Sequence, residues 1–206
     1  MTGIISQNVG RTSGLIKAAS GGGGVWTLIK TLTASADSTL DFIDGSDDVT
    51  FDSTYPIYRF SFINIHPATD ETQFAFQVDT GTNTSWNQTI TSTFFRSHHF
   101  EDNSVAALQY KGEQDQAQGT SFQKIAINLG TDNDQSCAGT LQIFAPSNTT
   151  FGKHFLALTN TYRAEDSDEQ GFCSGYVNTT TALTRVQFKM SSGNIDAGVI
   201  KMYGVS

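Results

Sequence analysis

Apolar side chains fall on every second position in several stretches of the chain, the two-residue period of a strand with one buried and one wet face. Tyr58-Arg59-Phe60-Ser61-Phe62 alternates in this way, and Ile63-Asn64-Ile65 continues it until His66-Pro67 ends the strand. Thr184-Arg185-Val186-Gln187-Phe188-Lys189-Met190 alternates too, and Val199-Ile200-Lys201-Met202-Tyr203-Gly204 runs apolar almost to the last residue. Residues 191–198 between them are Ser, Gly, Asn and Asp for the most part, which bond their own amides or accept left-handed backbone. The two strands therefore read as a closing hairpin around which the rest is organised. No C-terminal tail is expected beyond it, so the start of the chain or its surface is left to anchor a partner.

Further strands are predicted at residues 26–33 and 39–43, followed by the turn cluster Asp44-Gly45-Ser46-Asp47-Asp48. Phe74-Ala75-Phe76-Gln77-Val78 is the expected neighbour of the Tyr58 strand, and residues 85–96 supply another strand with Trp86, Ile90, Phe94 and Phe95. Residues 97–121 are the least strand-like part: residues 101–109 suit a helical turn or two, and the rest a long surface excursion. Strands resume at 122–127, 139–144 and 153–162, then an acidic loop at 163–170, then a strand at 172–177. Roughly ten short strands with Thr- and Gly-rich connections predict an all-β fold of two packed antiparallel sheets, a jelly-roll-like β-sandwich. Pairing of its first and last strands would hide an edge.

Residues 1–24 differ from all this. Short apolar pairs stand between Gly3, Gly10 and Gly14, and the segment ends in Ser20-Gly21-Gly22-Gly23-Gly24, a run with no side chain to pack. An N-terminal arm with a hinge (1–24) and one sandwich domain (25–206) are the expected organisation. The arm reads either as a disordered terminus or as a docking peptide in which Ile4, Ile5, Leu15 and Ile16, with Arg11 and Lys17, engage a partner.

Composition narrows the classes. Fifteen Phe, six Tyr and two Trp in 206 residues can fill one sizeable core. A formal charge of −8 with no cluster of Lys and Arg argues against nucleic acid or an anionic membrane surface as partner. No apolar run reaches the roughly 20 residues of a membrane span, and no secretion-signal order is present. Cys137 and Cys173 read as buried thiols in preference to a disulfide, because a core of this size needs no staple.

Candidate chemistry is sparse. His98-His99 with Glu101-Asp102 is the densest set of metal-ligand types, yet adjacent strand residues point to opposite faces. Asp132-Asn133-Asp134 and the Asp44–Asp48 turn offer oxygens suited to calcium, but capping of nearby amides is the favoured role. Glu101, Asp102, Glu113, Asp115, Glu165, Asp166, Asp168 and Glu169 all lie in stretches read as loops, where solvated charge is the ordinary role. There is no nucleophile elbow, phosphate loop or dinucleotide fingerprint. No enzyme, cofactor or metal is therefore expected. Trp86, Tyr110 and Tyr162, beside polar and acidic residues, are the candidates for binding a glycan, with a place in the core as the alternative for Trp86.

The opening Gly3-Ile4-Ile5-Ser6-Gln7-Asn8 with Gly14-Leu15-Ile16-Lys17, the run Trp26-Thr27-Leu28-Ile29-Lys30 leading to Leu40-Asp41-Phe42-Ile43-Asp44-Gly45, and the closing residues Ser192-Gly193-Asn194-Ile195-Asp196-Ala197-Gly198-Val199-Ile200-Lys201-Met202-Tyr203-Gly204 carry a further signal. Together they resemble a family of virion structural proteins of marine tailed phages, of the cyanophage and pelagiphage type. The resemblance spans the chain and rests on turn and strand residues. It implies a non-enzymatic protein at the virion surface, docked by its N-terminal arm on capsid or tail proteins, with the sandwich outward. It also implies a homo-oligomer, a trimer for preference. The alternative it leaves open is an adhesion module of a tail fibre that binds a host receptor or glycan.

Overall fold

The computed structural model describes residues 25–206; the arm, and with it Ile4, Ile5, Arg11, Leu15, Ile16 and Lys17, lies outside the described residues. Twelve strands and no helix make up the described chain: β1 (Trp26–Asp37), β2 (Leu40–Ile43), β3 (Ile57–Pro67), β4 (Thr72–Thr80), β5 (Ile90–Phe100), β6 (Ala106–Tyr110), β7 (Gln123–Leu129), β8 (Cys137–Phe144), β9 (Lys153–Arg163), β10 (Ser167–Val177), β11 (Leu183–Met190) and β12 (Ile195–Val205). All pairings are antiparallel.

A long sheet runs β1-β12-β3-β8-β9-β10-β5-β6, and a short one runs β2-β11-β4-β7. One bridge, Leu129 to Arg163, joins them at a corner. The orders match rank for rank, with β1 answered by β2, β12 by β11, β3 by β4 and β8 by β7. Chain neighbours thus sit in opposite sheets, which is the logic of a jelly roll, a long hairpin folded over on itself. Between β4 and β7 the chain inserts β5 and β6, and between β8 and β11 it inserts β9 and β10. These four strands extend the long sheet sideways.

This topology corrects two expectations. The strands at residues 184–190 and 199–204 do not form a hairpin: β11 lies between β4 and β2, whereas β12 lies between β1 and β3. Nor is the strand at residues 74–78 the hydrogen-bonded neighbour of β3, which pairs with β12 and β8. Alternation tells which residues are buried but is blind to which of two facing sheets a strand joins. The expected pairing of first and last strands is present, with Trp26 opposite Val205 and Asp37 opposite Ile195.

Residues 101–109 form no helical turn; after a short turn the chain returns as β6, paired to β5 from His99 opposite Ala106 to Phe95 opposite Tyr110. The acidic loop at 163–170 is also mostly strand, because β10 begins at Ser167 and carries Asp168 and Glu169. The strand expected at 85–96 starts only at Ile90, which leaves Trp86 in a loop.

Phe188 is the centre of the core. Its ring lies 5.3 Å from both Phe60 and Phe62 of the facing sheet and 5.7 Å from Phe74 beside it. Phe42 against Phe60, and Phe76 against Phe155, repeat the cross-sheet contact at 5.1 Å in edge-to-face geometry. Each such ring removed from water contributes about 1.5–3 kcal/mol, and the edge-to-face pairs add to it. Cys137 and Cys173 are free thiols buried in the same core.

The segment 111–122 closes the far end of the sandwich over β5. Gln123, fully buried, accepts a 2.6 Å bond from Ser92 Oγ, whose oxygen in turn accepts the Gln116 amide at 2.9 Å. Gln77, also fully buried, donates to the carbonyls of Gln88, Thr120 and Ser121. The expected excursion is thus real as a loop, but it is pinned by amides with no water to turn to.

Candidate functional site

Period-two alternation gives every strand of the long sheet an inward and an outward row, and both rows of the extension are unusual. In β9 the inward side chains run Phe155, Ala157, Thr159, Thr161 and Arg163, and the outward ones are Leu156, Leu158, Asn160 and Tyr162. Register then puts Phe172, Phe95 and Tyr110 on the outward row level with Leu158. On the other side of Leu158 the same row passes through Thr140 and Ser61 to Lys201.

The outward face is apolar where solvent should favour polar groups. Leu108 is 73% exposed, Tyr110 62%, Leu156 51% and Leu158 44%. At the opposite edge Leu28 and Trp26 are 52% and 48% exposed, and Trp26 packs on Tyr203 with the Arg59 guanidinium 4.2 Å above its ring. Phe95 and Phe172 stack flat, 4.7 Å apart at 9°. They wall a groove of about 410 Å³ with Leu156 and Leu158, and Arg59, Thr140 and Gln142 line its other side. The apolar residues form a stripe on β9, β10, β5 and β6, and polar Arg59, Ser61, Thr140 and Gln142 on β3 and β8, with Lys201 on β12, separate it from a second apolar patch of Trp26 and Leu28 at the β1 edge.

Beyond the stripe, at the β9 end, a second cleft of about 550 Å³ gathers His99, Phe100, Glu101, Asn160, Tyr162 and Asp168. The Tyr162 hydroxyl is pushed up to about 12, first by its hydrogen bond to Glu101. Asn160 Nδ2 donates to Asp168 Oδ1 at 2.5 Å, and His99 Nε2 lies 3.1 Å from Asn103 Oδ1. An aromatic ring beside carboxylates and an amide is the equipment for a polyol.

The three candidate aromatics do not converge. Tyr162 lines this cleft, and Tyr110 stands on β6, its hydroxyl donating to Asp115 and held above its ordinary value by that bond. Trp86 is half-buried in a loop that Asp79 organises. That fully buried carboxylate accepts the Trp86 amide at 3.0 Å, Asn83 Nδ2 at 2.7 Å and Gln88 Nε2 at 3.0 Å, and Trp86 itself has a φ of 50°.

The inward row holds a constellation built on Glu169, which sequence reasoning placed in a solvated loop. Glu169, 1% exposed, takes Arg96 Nη1 at 2.5 Å on Oε2, and Arg163 Nε lies 3.2 Å from the same oxygen without the alignment of a hydrogen bond. Arg96 also donates to Gln109 Oε1, and Arg163 to Ser167 Oγ and Glu165 Oε1. Burial pushes the Glu169 carboxyl up, and the two guanidiniums pull it back. His98, next to it on β5, is held below its ordinary value by burial and by the charges of Arg96, Arg163 and Lys111. His99 points outward, as adjacent strand positions require. The cue that was available is alternation: Arg96, His98, Arg163 and Glu169 all fall on the inward parity of their strands.

Lys153, fully buried, donates from Nζ to the carbonyls of Phe151 at 2.8 Å and Thr179 at 3.2 Å, and burial lowers its proton affinity. These inward ions meet each other and the backbone, so they tie loops and strands together. Among the described residues, no group of three or more His, Cys, Asp or Glu is gathered as for a metal ion. No protein-family model, curated protein or solved structure matches the chain.

Proposed function

We propose that the protein is a non-enzymatic structural component of a virion surface, built into a larger assembly through the outward face of its long sheet. The observation that carries this reading is the apolar stripe on β9, β10, β5 and β6, with Leu108, Tyr110 and Leu156 all more than half exposed on one face. Apolar patches of this extent on a folded domain mark surfaces that join proteins. The resemblance to marine tailed-phage structural proteins supplies the setting, and a jelly roll suits it, being an architecture that viral shells use. In this reading the buried ions of Arg96, Arg163 and Glu169 replace apolar filling in the extension and perform no chemistry. Residues 1–24 serve as the anchor to capsid or tail proteins.

The test is incorporation into particles. Virions made with the full chain, with residues 1–24 deleted, and with Leu156→Asp are compared by mass spectrometry of purified particles. Loss of the protein from particles in both variants, with the sandwich still folded, is the expected result. Normal incorporation of both removes the reading.

The Tyr162 cleft favours a second reading, a host-glycan adhesion module. The supporting observation is the ring of Tyr162 flanked by Asn160, Asp168 and Glu101. Binding of a glycan array by the full chain, abolished by Tyr162→Ala, supports it; no binding above background excludes it.

A further inference from the structure

We propose that residues 11–17 of the chain's own arm lie on the outward face of the long sheet, with Leu15 and Ile16 on the apolar stripe and Arg11 in the Tyr162 cleft. This deepens, and rests on, the reading of that face as a joint: the arm is what the sheet carries there, and Ile4 and Ile5 beyond it are left for the partner.

Reach is the first argument. Val25 precedes Trp26, which stands at one corner of the long sheet, on β1. The registers put β9 four strands away, with Leu156 two residues and Leu158 four residues further along. Strands about 4.8 Å apart and a rise of about 3.3 Å per residue set these leucines about 20 and 23 Å from Trp26. Ten residues lead from Leu15 to Val25, enough to span about 33 Å.

The second argument is the order of residue types, which matches between arm and face. Residues 18–24 are Ala, Ser and Gly only, and on the way from Val25 they cross β12, β3 and β8, where the outward groups are Lys201, Arg59, Thr140 and Gln142. The apolar Leu15 and Ile16 come next, level with Leu156, Leu158 and the groove they wall. Arg11 lies four residues beyond Leu15, on the same side of an extended chain and about 13 Å along it. On β9, Tyr162 likewise lies four residues beyond Leu158 on the same face, so the groove and the cleft have the spacing of the apolar pair and the cation.

The third argument is charge. All 20 acidic residues of the chain fall within 25–206, whereas the arm carries Arg11 and Lys17 and no acid. Glu101 and Asp168 line the cleft, and the Tyr162 hydroxyl, pushed up first by its bond to Glu101, is pushed further by Asp166 and Asp134. Among the described residues none of these four carboxylates is in a salt bridge. A guanidinium in the cleft meets both carboxylates and an aromatic ring. Lys17 comes over β8, which offers Thr140 and Gln142 as acceptors and no carboxylate, so the local match rests on Arg11. In this arrangement a polyol enters the cleft only by displacing Arg11.

The experiment uses the purified full chain at low concentration. Leu15→Cys/Leu158→Cys is oxidised and read by mass spectrometry, alone, with Arg11→Glu added, and with Arg11→Glu and Asp168→Arg added together. The expected results are a disulfide within one chain, its loss with Arg11→Glu, and its return when the charges are exchanged. Beside it, Leu15→Asp/Ile16→Asp should bind more of an apolar dye than the unaltered chain, with unchanged circular dichroism, because the stripe is uncovered. No disulfide, a disulfide only between copies, a disulfide indifferent to Arg11→Glu, or unchanged dye binding overturns the proposal. Particle incorporation is read separately, so a within-chain disulfide in a protein missing from virions removes the virion role and leaves the docked arm.

Discussion

Arg96 on β5 and Glu169 on β10 meet through Nη1 and Oε2 at 2.5 Å on the buried side of the long sheet, and Arg163 on β9 approaches the same carboxylate oxygen. One carboxylate thus holds three adjacent strands of the extension. Glu169→Ala leaves two guanidiniums facing each other out of water, and loss of one member of a buried pair costs about 3–5 kcal/mol. Arg96→Met leaves Glu169 with Arg163 and should cost clearly less. Urea unfolding of the two variants measures both; equal losses, or a loss under about 1 kcal/mol for Glu169→Ala, contradict this account.

His98 makes stability depend on pH. Its folded value lies below the ordinary 6.5, so between the two the unfolded chain binds more protons and stability rises with pH. The contribution is complete above 6.5 and is lost as pH falls through the folded value, with a slope of at most about 1.4 kcal/mol per pH unit. His98→Gln should flatten the melting temperature against pH in the interval just below 6.5; an unchanged slope in that interval excludes His98 as its source.

Burial pushes both thiols up, to about 12 for Cys137 and about 12 for Cys173. A thiol of that kind offers almost no thiolate at neutral pH. An aromatic disulfide reagent should therefore report no reactive cysteine in the folded protein and both cysteines in denaturant. Fast labelling of the folded protein would contradict the buried placement.

Gly175 sits where β10 is tightly packed against β5 and the core. A Cβ there would lie 2.4 Å from the Thr91 carbonyl oxygen, 2.8 Å from Phe155 Cζ and 2.9 Å from Ser92 Cα. Gly175→Ala should cost about 1–3 kcal/mol by overpacking and raise amide exchange in β5 and β6 before the rest of the sheet. Uniform exchange would mean that the extension and the jelly roll open as one unit.

Alternation made the all-β class and most strands legible, β3 and β11 above all, because their apolar residues face a core and their polar ones do not. Pairing was not legible. Ser191 to Asn194 looks like a hairpin turn, yet it carries the chain from one sheet to the other, and both outcomes need the same turn residues. β6 was hidden by its place at an edge: Leu108 and Tyr110 are exposed, and Gln109 turns inward to a charge. Glu169 was hidden by composition, since Asp and Glu near a turn signal solvent in most chains. The stripe was hidden for a different reason. It is assembled from β5, β6, β9 and β10, and outward Leu and Phe cannot be told from core residues until the strands have been ordered.

The pairing of β1 with β12 also has a mechanical meaning. Trp26 lies opposite Val205, so the points where force would enter through residue 25 and through residue 206 are side by side on one outer ribbon. Hydrogen bonds in such a ribbon run across the strands. A pull that separates the two points therefore loads those bonds one after another, like a zip, and opens the ribbon at low tension. A pull on residue 25 along β1, resisted by the sheet behind it, loads every bond at once. The same edge is thus weak in one direction and strong in the other.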